Sequence, residues 1–91
     1  MSSPTILDFA FDADNEDELA GHSLSIRQVL QVLDGRIDIS RNKRSGRASH
    51  RVIGRDHGGQ ALTIVVEPTH NPVVWRPVTG WKSEPDQEAR L

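Results

Sequence analysis

The fold is decided by residues 47–67, whose sequence is RASHRVIGRDHGGQALTIVVE. Residues 60–67 form the most apolar stretch of the chain and predict a central β-strand. Residues 47–55 predict the neighbouring strand, and the Asp-His-Gly-Gly sequence of residues 56–59 between them is typical of a tight turn. The segment therefore indicates an antiparallel hairpin at the centre of a sheet.

Two helices are predicted before this hairpin. Asp12 suits the N-cap of a short first helix, which carries several acidic residues in its opening turns and ends near Gly21. Ser25 and Gln28 form a capping box at the start of a second helix, and Gly35 provides its stop. Apolar residues recur at helical spacing between these two signals, so the second helix is the better specified of the two.

Three more strands and a last helix complete the predicted fold. The strands are expected over residues 6–11, 36–41 and 73–79. Pro77 lacks an amide donor, which places the last strand at a sheet edge or at a bulge. A short helix with Pro85 in its first turn is expected over residues 84–90. The order β-α-α-β-β-β-β-α predicts an α+β fold, with N-terminal helices packed on one face of an antiparallel β-sheet of three to five strands.

The composition indicates a single domain over residues 1–91, with residues 1–5 and 84–91 at its periphery. Hydrophobic residues make up 35% of the chain, so we expect a thin core. The absence of cysteine excludes disulfides, thiolate metal ligands and cysteine nucleophiles, and it fits a reducing compartment. The sequence shows neither a signal peptide nor an apolar run long enough to span a bilayer, so we expect a cytoplasmic domain without a membrane partner.

The charges are sorted into two blocks. Residues 8–18 are strongly acidic, whereas six of the eleven basic residues lie close together without an acidic residue between them. These six are Arg41, Lys43, Arg44, Arg47, Arg51 and Arg55. A concentrated basic strand is suited to binding phosphate groups. The alternative is a solvated strand edge whose charges prevent aggregation.

Strand alternation places Arg47, Arg51 and Arg55 on one face of the sheet and His50 on the other. Guanidinium groups bind phosphate through paired hydrogen bonds and stay charged at any working pH. Such a row suits a nucleic-acid backbone, and it can stabilise the charge that develops on a reacting phosphate. The alternative is that the arginines cover helix carboxylates within residues 12–18.

Other candidate residues lie on the last two strands. Glu67 is expected to meet Arg51 or Arg76 across the sheet, either as a plain salt bridge or as a general base held by an arginine. We expect Trp75 in the core. Trp81 follows a glycine and precedes a lysine, and it is the better candidate for stacking on a base or filling a partner's pocket.

The four histidines do not predict a metal centre. They are His22, His50, His57 and His70. No two of them are spaced two to four residues apart, which is the spacing that local metal-ligand pairs use. We therefore expect neither a metal nor a cofactor. His22 is expected to cap the first helix.

Three stretches in the first half of the chain form a recognisable pattern: FDADNEDEL at 11–19, HSLS at 22–25 and VLQVL at 29–33. They resemble the opening of the BrnT-like toxins, which has an aromatic-Asp-x-x-Lys/Asn pattern, then Leu-x-x-His-Gly-Val-Ser and an apolar helix. Downstream, RVIGR at 51–55, the glycine pair at 58–59, LTIVV at 62–66 and WRPVT at 75–79 follow the order of that family's strands. The likeness spans about residues 9 to 83.

The resemblance implies a RelE-like fold and a ribonuclease toxin from a type II toxin–antitoxin pair, neutralised by a small DNA-binding antitoxin. It implies metal-independent chemistry, in which the ribose 2′-hydroxyl attacks the adjacent phosphate. The residues implied for cleavage are Arg51, Arg76, Lys82 and, as general base, Glu67. Those expected to bind RNA are Lys43, Arg44, Arg47, Arg55 and Trp81.

Two alternatives to an active toxin stay open at this point. The first is a toxin-like domain without catalysis, which acts as an RNA- or protein-binding module through Trp81 and the basic strand. The second is a small structural domain whose charge blocks meet a partner or a second copy of itself. Salt-sensitive RNA binding separates the first alternative from the second.

Overall fold

The computed structural model describes residues 4–42 and 49–91. Over these residues the elements are β1 (Asp8–Phe9), α1 (Ala13–Gly21), α2 (Ile26–Gln31), a 3₁₀ turn (Val32–Asp34), β2 (Ile37–Arg41), β3 (His50–Arg55), β4 (Ala61–Pro68), β5 (Val74–Lys82) and α3 (Pro85–Glu88). The order of elements matches the one expected from the sequence, and the α+β prediction is confirmed. The turn expected at residues 45–46, the first two residues of the strand expected from Arg47, and the basic residues Lys43, Arg44 and Arg47 lie outside the described ranges.

The described strands form one sheet with the order β1-β5-β4-β3-β2. Neighbours from β2 to β5 are antiparallel, and β4 lies at the centre, as expected for the most apolar strand. The sheet is mixed, because β1 pairs in parallel with β5 through Asp8–Val74 and Phe9–Trp75. The chain leaves β1 into the two helices, so it does not turn directly into an adjacent strand, and β1 is free to run beside the last strand in the same direction.

The core lies between the sheet and the first two helices. Leu19 of α1 and Val29 of α2 are fully buried against Val52 of β3 and Ile64 of β4. Both helices begin with capping boxes, in which the Asp12 and Ser25 side chains accept from the backbone of the third helical residue. The sequence indicates the box at Ser25 and, at Asp12, the N-cap alone. These short helices are therefore held by their caps and by one apolar face. We call this side of the sheet the helix-bearing face.

α3 covers part of the opposite face, which we call the second face. Ile53 and Thr63 are fully buried there. The Thr63 hydroxyl lies 2.8 Å from the Ser83 hydroxyl and 3.1 Å from the Gln87 side-chain oxygen, which also accepts from the Trp81 indole at 3.1 Å. The second face is thus polar and hydrogen-bonded where α3 packs on it. The side-chain contacts that the structure shows for α3 fall on Arg55, Thr63 and Trp81, toward one end of the strands.

The last strand is irregular at Pro77, as its missing amide donor predicts. Val65 pairs with Thr79 while Val66 pairs with Pro77, so Val78 is an extra residue in β5. Two residues beyond this bulge the strand approaches α1 closely, because a Cβ atom on Gly80 would lie 2.8 Å from Ile64 Cδ1 and 3.2 Å from Leu19 Cδ2. The bulge and the close approach together bring the start of α1 against β5.

Asn15 fixes this contact between α1 and the bulge. Its side chain is 1% exposed. The side-chain oxygen accepts from the Asp12 amide at 2.8 Å, and the side-chain nitrogen donates to the carbonyls of Ala10 and Pro77, each at 3.0 Å. All the polar atoms of this buried amide group are therefore hydrogen-bonded. They cap α1 and join it to β5.

Replacing Asn15 with alanine should lower the free energy of unfolding by about 2–4 kcal/mol, because it leaves two carbonyls and one amide without their partner. Urea denaturation followed by tryptophan fluorescence measures the change. Asp17→Ala on the exposed side of the same helix is the control and should change stability by less than about 0.5 kcal/mol. Equal stability of the two variants would show that the Asn15 bonds do not hold α1 to β5.

Candidate nucleic-acid interface

Strand register gathers charged and polar side chains at the end of the second face that α3 leaves uncovered. Ser40 on β2 pairs with Arg51 on β3, and Arg51 pairs with Val65 on β4. Glu67 is two residues beyond Val65 on the same side of β4, and it pairs with Arg76 on β5. We call Ser40, Arg51, Glu67 and Arg76 the Arg51 patch. It crosses four neighbouring strands, a width of about 14 Å.

Arg76 is held by two carboxylates. Its Nε donates to Asp12 Oδ2 at 2.7 Å, and its Nη1 donates to Glu67 Oε2 at 3.0 Å. The hydrogen bond from Arg76, followed by one from the Asn15 backbone, lowers the pKa of the Asp12 carboxyl below its usual value. The same contacts raise the pKa of Arg76, led by the bond to Asp12. Of the two partners expected for Glu67, the structure thus pairs it with Arg76, which also fastens α1 to the sheet.

Arg51 differs from Arg76 because its charge is not neutralised. It is half-buried, and no carboxylate of residues 4–42 or 49–91 lies within ion-pair distance of it. Its Nε atom is buried and finds no hydrogen-bond partner in these ranges, and the same holds for the Oγ atom of Ser40. An arginine in this state keeps its capacity to bind an anion.

Arg55 and Trp81 lie on the same face as Arg51, but at the end covered by α3. Arg55 Nη1 lies 2.8 Å from Glu88 Oε2 and donates to the Gly59 carbonyl at 3.0 Å. The Trp81 indole is half-buried and donates to Gln87. The row of arginines expected along β3 is therefore divided. Arg55 covers a helix carboxylate, as in the alternative drawn from the sequence, although the helix is α3 and not α1.

The structure does not bring Lys82 to the Arg51 patch. Lys82 pairs with Leu62 and is exposed, and the pleat places it on the helix-bearing face near the far end of β5. The expected RNA-binding residues Lys43, Arg44 and Arg47 are outside the described ranges. Residues 43–48 join β2 to β3 where Arg41 pairs with His50, one position from the Ser40–Arg51 pair.

His50 and Trp75 pack together on the helix-bearing face, as expected from strand alternation and from the core assignment of Trp75. Their ring centroids are 4.9 Å apart in an edge-to-face arrangement, and His50 Nδ1 lies 2.9 Å from the Ser49 hydroxyl. Burial, and then the nearby charge of Arg41, lower the pKa of His50 below its ordinary value of 6.5. His50 therefore belongs to the packing of the sheet and does not reach the Arg51 patch.

Sequence reasoning missed Ser40. The alternation of Ile37 and Ile39 with polar neighbours indicates that Ser40 faces away from the helices. Its position opposite Arg51 depends on the register between β2 and β3, which the sequence does not fix. A second missed contact lies far from the patch, where His57 Nε2 approaches Asp34 Oδ2 at 2.7 Å beside a cleft of about 370 Å³. Both of these side chains are well exposed, and the pair holds the β3–β4 turn to the end of the second helix.

No protein-family model, no curated protein and no solved structure matches this chain. Within residues 4–42 and 49–91 no helix combines the length and apolar character needed to cross a membrane. In the same ranges, no group of three or more His, Cys, Asp or Glu side chains is placed to hold a metal ion. The site is therefore described by its own geometry, a charged arginine without a carboxylate partner beside a fixed Glu67–Arg76 pair.

His50 should titrate below pH 6.5, because its burial and Arg41 disfavour the protonated ring. The unfolded chain then binds the proton more readily than the folded one. The free energy of unfolding should therefore be highest above pH 6.5, where the ring is neutral in both states, and should fall as the pH drops from 6.5 through the lower pKa of the folded protein. An NMR titration of the histidine rings, with the His50 signal assigned from its loss in His50→Gln, measures the pKa. A midpoint at or above 6.5 would contradict the burial of the ring.

Proposed function

We propose that this domain binds the phosphate backbone of RNA on the Arg51 patch, as a cytoplasmic protein of the BrnT-like toxin class. One observation carries the proposal. Among the described arginines of the second face, Arg55 and Arg76 each pair with a carboxylate, whereas Arg51 does not. A half-buried arginine in the middle of a sheet is anchored at its backbone, and a phosphate accepts hydrogen bonds from a guanidinium group with matching geometry.

The surroundings of Arg51 support a backbone-binding role. In the sequence, three further basic residues fall between Arg41 and Arg51, and β2 and β4 flank Arg51 on its strand. Acidic residues of the first block lie on α1, where Asp12 bonds Arg76 and Glu18 accepts from Thr79. Among the described residues of this face, the positive charge is thus left at Arg51, which favours an anionic ligand.

Replacing Arg51 with alanine should raise the Kd for single-stranded RNA about 10- to 100-fold, because a charge-assisted phosphate contact is lost. The Kd of Arg51→Lys should lie between the values of the wild type and Arg51→Ala, since lysine keeps the charge and loses the paired donors. Fluorescence anisotropy at several salt concentrations measures both the Kd and the salt slope, which should fall by about one in Arg51→Ala.

Arg27→Ala is the matched control for charge. Arg27 is exposed on α2, away from the second face. Its replacement removes one positive charge from the protein without touching the patch. A loss of affinity equal to that of Arg51→Ala would indicate that net charge, and not the patch, governs binding.

Cleavage is the second candidate, and the fixed position of Glu67 favours it. Arg76 holds Glu67 Oε2 at 3.0 Å, and Glu67 lies diagonally across the β3–β4 ladder from Arg51. In this mechanism the 2′-oxygen attacks the adjacent phosphorus and its proton passes to Glu67. The bond to the 5′-oxygen then breaks, and that oxygen takes a proton from water. Arg51 would stabilise the charge on the pentacoordinate phosphate, so no metal is required.

Incubation of the folded chain with mixed RNA in EDTA tests the second candidate. We expect 2′,3′-cyclic phosphate ends from the wild type and from Arg27→Ala, and a loss of at least about 100-fold in rate for Arg51→Ala and Glu67→Gln. Intact RNA in a wild-type sample that still binds RNA would leave a binding module on a toxin-like scaffold.

The resemblance adds protein partners to the proposal. A small DNA-binding antitoxin is the partner expected for a chain of this class, and a second copy of the chain is the alternative. The Arg51 patch is the surface such an antitoxin would cover with acidic side chains, since blocking the phosphate site neutralises the protein.

A further inference from the structure

Two buried donors of the Arg51 patch face each other across neighbouring strands without a partner. They are Ser40 Oγ and Arg51 Nε, and their residues form a register pair between β2 and β3. Within residues 4–42 and 49–91 neither atom makes a hydrogen bond, and they do not bond each other. Buried polar atoms in folded proteins nearly always have a partner, so two such atoms at one place call for an explanation.

The neighbouring residues of the second face do not supply an acceptor. On its other side Arg51 pairs with Val65, which is buried and apolar. The next carboxylates along the face are Asp38, whose Oδ2 accepts from Arg90, and Glu67, whose Oε2 accepts from Arg76. A guanidinium Nε can only donate a hydrogen bond. If a neighbouring hydroxyl binds the same ligand, it should donate a hydrogen bond to that ligand as well. The missing group is therefore an acceptor that offers lone pairs to two adjacent donors.

We propose that Ser40 and Arg51 form a subsite for one phosphate group, with one phosphate oxygen accepting from Ser40 Oγ and another from Arg51 Nε. This inference rests on the proposed function and names the group that recognises the RNA, a single phosphodiester. Arg51 Nε is covered in the free protein, so the arginine side chain turns outward when the phosphate binds. Ser40 is thus a binding residue that the sequence pattern does not single out.

The subsite predicts that removing the Ser40 hydroxyl weakens phosphate binding without lowering the stability of the fold. Because Ser40 Oγ has no partner in the free protein, Ser40→Ala removes an unsatisfied buried group and should leave the melting temperature unchanged or raise it. The same variant should weaken phosphate binding about tenfold, the value of one hydrogen bond to a charged group. A serine that only supports the fold would show the reverse pattern.

The experiment follows the Arg51 Nε–H signal in ¹⁵N NMR spectra during titration with inorganic phosphate and, separately, with a short single-stranded RNA. Melting temperatures are recorded for each variant. Ser40→Thr keeps the hydroxyl and should restore binding. Ser83→Ala is the matched control, because the Ser83 hydroxyl has a partner in Thr63 under α3. It should lower stability and leave the affinity unchanged.

The outcomes separate this inference from the proposed function. A tenfold weaker affinity of Ser40→Ala for RNA at unchanged stability supports both. If RNA binds the wild type and Ser40→Ala equally, the subsite is overturned and the proposed function stands. If RNA does not bind but phosphate shifts the Arg51 signal in a Ser40-dependent way, the subsite holds for free phosphate and the proposed function fails. Loss of stability together with affinity in Ser40→Ala would overturn the subsite.

Discussion

The buried amide of Asn15 is the contact on which the arrangement of this domain depends. It closes the cap of α1 and at the same time bonds the carbonyl of Pro77. β5 bulges beside the start of this helix, where the Pro77 carbonyl accepts from the Asn15 side chain. With α1 seated in this way, Asp12 reaches Arg76, and Arg76 in turn holds Glu67 on the second face. A cap at the start of a helix therefore orients a carboxylate on the opposite side of the sheet.

Ion pairing decides which basic residues are left for a ligand. The sequence shows one basic block, but the described arginines of the second face have different surroundings. Arg55 is paired with Glu88 and Arg76 with two carboxylates, and both therefore contribute to holding helices on the sheet. Such exposed or half-exposed pairs add little stability individually, but they fix the side chains in one place. Within the part of the chain that the structure describes, Arg51 has no carboxylate partner and its Nε is buried without an acceptor, so it is suited to an external one.

Local signals in the sequence were enough to predict the elements. The N-cap at Asp12, the capping box at Ser25, a glycine-rich turn and strand alternation give the helices and strands in their observed order, because each depends on residues close together in the chain. Contacts between distant segments were not predictable in this way. The parallel pairing of β1, the packing of α3 on the second face and the place of Ser40 opposite Arg51 all depend on register. A register shift of one residue would exchange the two faces, and no local pattern excludes it.

The pairing of Arg55 also changes the direction in which a bound phosphate chain would run. A row of arginines along β3 would guide it parallel to the strand, from Arg51 toward Arg55, about 13 Å away. Because Glu88 neutralises Arg55 and α3 covers that end of the face, this path ends beside a helix with acidic residues. The path that remains crosses the strands, from Ser40 over Arg51 toward Glu67. This direction places the fixed carboxylate of the patch next to the phosphate that Arg51 would hold, which is the arrangement that cleavage with Glu67 as general base requires.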